Sequence, residues 1–434
     1  MTHPLSRRDV LAASAAAGLG YFVSETPARD KDTSPLERLR FACIGIGGKG
    51  GRDTADAAQH GDVVAICDVD DQRLEKAGEK YGKAQKFHDF RRLFDKLGKS
   101  IDAVTVSTPD HTHAPATALA LRMGKHCFTQ KPLTRTIWEA RRLGELAREN
   151  KVVTQMGNQG TASSGLRKAA AIIRAGTLGK VTEVHVWTNR PVWPQGIKRP
   201  ATAAVPASLQ WDLWLGPSPE RPFGPGYHPF AWRGWWDFGS GPLGDMACHT
   251  LNMPFMALDL REPTAVEATS AGHDRDSMPK WSIITFTFPA RGKRGPVKVV
   301  WYDGGKKPDR DLFGKTDLEI RNSGSLVIGE KGKLYSPGDN GTSHHLIGDL
   351  SEPKVEITTS PGHFTEWVKG IKGGPTPVSN FPDYAGPLTE TILLGNLAVY
   401  AGKKIEWDAR AVKATNTSEV DHLIRPVYRK GWEL

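Results

Sequence analysis

Residues 40–59 read RFACIGIGGKGGRDTADAAQ. The apolar start has the character of a buried strand. It ends on Gly45-Ile46-Gly47-Gly48-Lys49-Gly50, and a segment with helical spacing follows. A G-x-G-x-x-G pattern alone carries little; between a strand and a helix it predicts a dinucleotide cradle. Gly45 permits the tight turn, Gly47 lets the backbone approach a pyrophosphate, and Gly50 lets the helix pack closely on the strand. Gly48 belongs to the same loop. Free N–H groups at the helix start would face the phosphates. The alternative is a glycine-rich turn with no ligand. Asp68 ends the next apolar run, about 20 residues on, where an acid bonds the ribose 2′-hydroxyl; otherwise it caps the following helix. Asp70 and Asp71 come next. Three carboxylates there would repel a 2′-phosphate, so NAD is expected rather than NADP.

Working outward, short apolar runs recur at 62–70, 101–110, 125–133 and 151–159, separated by helical segments at 54–59, 72–81, 90–97, 114–123 and 137–150. Strands alternating with helices predict a parallel sheet of right-handed βαβ units. We assign residues 38–158 to an NAD-binding Rossmann domain. The pattern then changes. A helix at 166–175 and a strand at 181–188 precede a loop-rich section, 190–242, rich in Trp and Pro. Strand-like runs at 264–270, 281–288, 297–301 and 325–328 have no helices between them, and helices are expected at 364–371 and 385–400. Residues 159–434 therefore form a C-terminal substrate and oligomerisation domain. The fold class is α/β, a Rossmann domain followed by an α/β domain with a large, mostly antiparallel open sheet.

The stretch TPDHTHAPATALALRMGKHCFTQKPL, residues 108–133, resembles the signature of the Gfo/Idh/MocA oxidoreductases. That pattern is roughly T-P-N-x-x-H, an alanine-rich helix, G-K-H, then E-K-P. Thr108, Pro109 and His113 match, as do Lys131 and Pro132, whereas Asp110 replaces Asn and Gln130 replaces Glu. GPLGDMACHTLN, residues 241–252, is similar to the family's D-x-x-x-H motif through Asp245 and His249. The resemblance implies cofactor contacts by Thr108, Pro109, His113 and Lys131. It also implies catalytic roles for Lys131 and His249, with Asp245 holding the substrate or the imidazole, and a homo-oligomer, dimer or tetramer, paired through the open sheet face.

The residues support that chemistry independently. Asp245 and His249 are spaced i, i+4, so a helix opening at Gly244 would put both on one face. A histidine can take a hydroxyl proton while hydride leaves the same carbon, and a nearby lysine can stabilise the developing alkoxide. The alternative is a helix cap and a core histidine. With Gln in place of Glu at 130, hydrogen bonding remains but a charge is lost. GYHPFAWRGWWDFGSG, residues 226–241, offers His228, Trp232, Arg233 and Trp236 as substrate contacts, because aromatic faces stack on sugars and Arg forks onto hydroxyls or carboxylates. Core packing or a subunit interface would use the same residues. Asn158 is a further substrate candidate at the sheet's carboxyl edge.

The 434 residues carry a formal charge of +10 and a pI of about 9.3. Lys and Arg are dispersed, so no nucleic-acid partner is expected. Cys43, Cys67, Cys127 and Cys248 form no C-x-x-C pair and no metal site is expected; buried thiols are favoured over bridges. At the N-terminus, SRRDVLAASAAAGLGYF (residues 6–22) resembles a twin-arginine signal. Residues 1–35 are assigned to this signal and a linker, with export to the periplasm. The apolar run is too short for a membrane span, and no other is long enough. Three functions stay open: an NAD-dependent oxidoreductase of a sugar or polyol; a redox-neutral, NAD-dependent glycosidase that oxidises its sugar transiently; and a non-catalytic sugar- or nucleotide-binding protein. Export of a folded protein favours tightly bound NAD.

Overall fold

A computed structural model describes residues 38–434; the twin-arginine motif lies outside the described residues. Six strands form the first sheet: β1 (Leu39–Ile44), β2 (Gly61–Cys67), β3 (Gln85–Phe87), β4 (Ala103–Val106), β5 (His126–Thr129) and β6 (Thr154–Met156). Their order is β3-β2-β1-β4-β5-β6, with every pair parallel. The strand order reverses between β1 and β4, the switch point at which open α/β sheets bind ligands. The connecting helices are α1 (Lys49–His60), α2 (Asp71–Lys80), α3 (Phe90–Leu97), α4 (Asp110–Arg122) and α5 (Ile137–Glu149). Helices on both faces explain why β4 is buried along its whole length and reads as a continuous apolar run. Asp70 and Asp89 start α2 and α3, each carboxylate accepting a backbone N–H two residues on.

Two details depart from the sequence reading. Helix α1 starts at Lys49 rather than 54, taking Gly50 and Gly51 into its first turn. Strand β3 is a three-residue edge strand, too short and polar to read as one.

The second sheet has nine strands: β7 (Val181–Trp187), β8 (Ala265–Ser270), β9 (Ser282–Phe288), β10 (Val297–Tyr302), β11 (Gly324–Gly329), β12 (Lys333–Pro337), β13 (His345–Ile347), β14 (Ile405–Asp408) and β15 (Lys413–Ala414). The order is β13-β12-β11-β7-β10-β9-β8-β14-β15. The β7/β10 pair is parallel and the others antiparallel. Helix α6 (Ser164–Arg174) leads into this sheet. Later come α7 (Trp211–Leu215), α8 (Gly241–Thr250), α9 (Asn252–Leu258), α10 (His363–Ile371) and α11 (Gly386–Ala401). The apolar α11 packs on β8, β9 and α8, which holds α8 firmly against the sheet.

Residues 188–240, between β7 and α8, contain no strand. They build a small core of their own from Trp214, Phe223, Tyr227, Trp232, Trp235 and Phe238. All four cysteines are buried and free. Among the described residues, no helix is long and apolar enough to cross a membrane.

Candidate active site

The glycine loop leaves β1 and enters α1. Gly45 has φ +76°, and a Cβ there would lie 2.7 Å from the Ser107 backbone. A Cβ on Gly50 would lie 1.9 Å from the Gly45 carbonyl oxygen, so the close strand–helix approach needs glycine. Gly48 caps α1 without a side-chain hydrogen bond, and the first turn has no acidic residue. The Gly50 N–H turns back to the Gly47 carbonyl (2.9 Å), and the other N–H groups of the first turn are left for an anion. Asp68, buried at the end of β2, accepts N–H bonds from Ile46 (3.0 Å) and Asp70 (3.2 Å). Burial raises its pKa above the usual carboxylate range.

The acids after β2 do not make the repulsive cluster expected from sequence. Arg73 places its guanidinium 3.9 Å from Asp68 and 3.8 Å from Asp70, over Gly47. Asp71 turns away to His88 at 2.5 Å. With Arg73 present, these carboxylates do not by themselves decide between NAD and NADP.

Thr108 and Pro109 line the same cleft as Gly45, Gly47 and Asp68. His113 does not. It is buried, with Nδ1 2.8 Å from the Pro132 carbonyl and Nε2 2.8 Å from the Thr108 carbonyl. It braces the turns after β4 and β5. Asp110, the residue in place of Asn, accepts hydrogen bonds from the Ser240 hydroxyl (2.5 Å) and N–H (3.1 Å), fixing the start of α8.

Lys131 extends from the end of β5 to α8. Its Nζ donates to the Asp245 carboxylate at 2.6 Å and to the Asp245 carbonyl at 2.7 Å. Arg233 and Arg190 also approach that carboxylate, at 3.4 and 3.9 Å. Burial acts to raise the Asp245 pKa, but Lys131 and Arg233 outweigh it and hold it at about 2. Helix α8 opens at Gly241, three residues before the expected start. His249, one turn beyond Asp245, is buried. Burial, then the Lys131 charge, lowers its pKa to about 3, against the pull of Asp245. It is a neutral imidazole at ordinary pH, and its Nδ1 is buried with no hydrogen-bond partner.

Gln130 has a specific partner. Its Nε2 donates to Asp53 Oδ2 at 2.8 Å; that carboxylate also accepts from Ser107 Oγ at 2.7 Å and pairs with Lys49. A glutamate at 130 would face a fully buried carboxylate. Asp53 was missed in the sequence because its partners come from two other strand ends.

The substrate candidates separate. Arg233 reaches the site and lies 4.1 Å over the Trp232 ring. Trp232 and Trp236 are buried packing residues, Trp232 in the core of the 188–240 segment and Trp236 against Tyr400. His228 lines the cofactor cleft beside Asp70. Asn158 accepts a hydrogen bond from Ser379 at 2.5 Å, and its Nδ2 is buried without a partner. Arg190 had no distinguishing signal in the sequence.

Residues 39–158 match the model of the Gfo/Idh/MocA oxidoreductase family, NAD-binding Rossmann fold, and residues 166–434 match its C-terminal alpha/beta domain. The chain belongs to the Gfo/Idh/MocA oxidoreductase family. Among curated members, inositol 2-dehydrogenase of Salmonella paratyphi B is 29% identical over 152 residues. That match spans 34% of this chain and 45% of the relative, so the chain matches less than half the length of that enzyme. A glycosyl hydrolase family 109 protein of Stenotrophomonas maltophilia is 32% identical over 133 residues, 28% of each chain. The WlbA dehydrogenase of Bordetella pertussis, solved with NADH and UDP-GlcNAcA, shares the fold. Its TM-score is 0.60 at 17% identity, covering 86% of this chain and 99% of that one.

Proposed function

We propose that this Gfo/Idh/MocA member is an NAD-dependent oxidoreductase of a sugar or polyol. The observation that carries this reading is the pairing of a neutral, buried His249 with a lysine fixed at two points by Asp245. The uncapped start of α1 and the Asp68 carboxylate fit a dinucleotide across the switch point. Bound NAD supplies a hydride acceptor. An ammonium has three donors, and Asp245 occupies two of those on Lys131. The third is free for the substrate oxygen, where it stabilises developing negative charge. His249 is neutral but weakly basic, so it takes the hydroxyl proton in step with hydride departure, which makes that hydroxyl strongly acidic. Asp245 remains ionised throughout and holds the lysine in place. Arg190 and Arg233 supply further donors for substrate hydroxyls.

The test is NADH formation on a panel of sugars and polyols. Lys131→Ala should lower turnover by about 10²–10³, and His249→Ala by about 10²–10⁴, with the fold intact by circular dichroism. Full activity in both variants overturns the assignment. The family 109 relative supports a second, redox-neutral reading. Release of nitrophenol from a nitrophenyl glycoside without net NADH would put it first. Export rests on residues 6–22; a reporter fused behind them should reach the periplasm, and should fail to do so after Arg7→Lys/Arg8→Lys.

A further inference from the structure

In an open Rossmann crevice the adenosine half of a dinucleotide lies beyond the acid that ends the second strand, with one side facing solvent. Here a further stretch of chain meets that side. The slot between Asp68 and Thr108 is also lined by Leu213, Trp214, His228 and Pro229, all from residues 188–240. We propose that this segment is a clasp over the adenosine end, which makes the dinucleotide a retained group that exchanges slowly; this rests on the reading that the cleft holds a dinucleotide.

The roof is tied down at three places. The Asp71 N–H donates to the Ser208 carbonyl at 2.8 Å and the Gln210 N–H to the Val69 carbonyl at 2.9 Å, joining the roof to the loop after β2. The His111 ring, on α4, lies between the carbonyls of Trp214 (2.8 Å) and Phe238 (3.1 Å). Arg429, near the C-terminus, donates to the Gly216 carbonyl at 3.1 Å. The roof is stiff as well as anchored: Trp214 stacks on Trp211 at 4.7 Å and meets Phe238 edge-on at 4.7 Å.

Its chemistry suits a nucleoside. Trp214, Leu213 and Pro229 offer aromatic and apolar surface to a purine. His228 lines the slot, and its Nε2 is buried with no hydrogen-bond partner, 3.7 Å from Asp70. A buried ring nitrogen left unpaired is costly, and a ribose hydroxyl or purine nitrogen would satisfy it. A nucleotide beneath this roof leaves only when these contacts open, which places the effect on the dissociation rate.

The experiment is a label chase. The protein as purified is incubated with excess isotope-labelled NAD, and native mass spectrometry follows exchange of the bound nucleotide. Wild type should exchange over minutes to hours. His228→Ala and Leu213→Ala should each exchange at least ~10-fold faster, with the melting temperature of the nucleotide-free proteins within a few degrees of wild type. Testing both positions covers the case in which one variant fails to fold. Exchange by wild type within seconds, or equal rates in wild type and both folded variants, overturns the clasp while leaving the dinucleotide reading intact. A wild type that carries no nucleotide and takes up no label at millimolar NAD overturns the dinucleotide reading, and the clasp with it.

Discussion

Gln130 shows how a departure from a family pattern can be balanced locally. The amide donates to Asp53, a fully buried carboxylate already shared by Ser107 and Lys49. Gln130→Glu would set two carboxylates against each other and should cost about 3 kcal/mol or more, the scale of a buried unpaired charge. Adding Asp53→Asn lets an amide donate to the new carboxylate and should recover much of the loss. Thermal denaturation of the two single variants and the double variant measures the coupling; strictly additive losses would show that the pair does not interact. Lys131, Asp245 and His249 were legible in the sequence through their motifs. Asp53 was not, because it stands before the helix expected at 54–59 and carries no motif. Its burial is decided by strand ends that lie 54 and 77 residues away.

At the scale of elements, the strand–loop–helix at the start of the first sheet was readable because each residue type has one obvious use there. Gly50 illustrates the tolerance. With a Cβ 1.9 Å from the Gly45 carbonyl, Gly50→Ala must push α1 away from β1. The expected cost is about 1–3 kcal/mol of overpacking, with dinucleotide affinity reduced at least ~10-fold as the N–H groups move off the phosphates. Calorimetric titration beside a melting curve checks both, and unchanged affinity would mean that the loop does not set the phosphate position. The short strands β3, β12, β13 and β15 were not legible; two to five residues carry too little periodicity. The section 190–242 left sugar contacts and core packing equally open for a different reason. Its tryptophans advertise sugar stacking by composition, yet Trp232, Trp235 and Trp236 are buried. Composition reports what a ring can do and leaves open which surface it meets.

At the scale of the whole molecule, buried histidines set the response to acid. Burial lowers His111 and His249 to about 3 and His228 and His363 to about 4. In the unfolded chain these rings take up protons near pH 6.5, whereas in the folded protein they do not. Their stabilisation is therefore present above pH 6.5 and is lost as the pH falls toward 3–4. Asp303, raised to about 6 by burial, works in the opposite sense. It favours the fold below pH 4 and loses that contribution as the pH rises to 6. Asp56, Asp68, Asp110, Glu139 and Glu390 are raised by burial in the same sense, but burial also lowers His60, His113, His126, His185 and His422, so the histidines prevail and the melting temperature should fall from pH 7 to pH 4.5. A flat profile over that range would mean that the rings are reached by water or protonated in place.

The proposed clasp over the adenosine end also bears on upkeep. A carrier that trades its reduced partner for a fresh one can draw on the surrounding supply. One held beneath Trp214 and His228 would be replaced from outside only over minutes to hours. Each time it is reduced it must be restored where it sits, by the same substrate later in the cycle or by a second one entering beside Lys131. Between exchanges the protein would then be stoichiometric in its own nucleotide, and its output would be set by how often that molecule is reset.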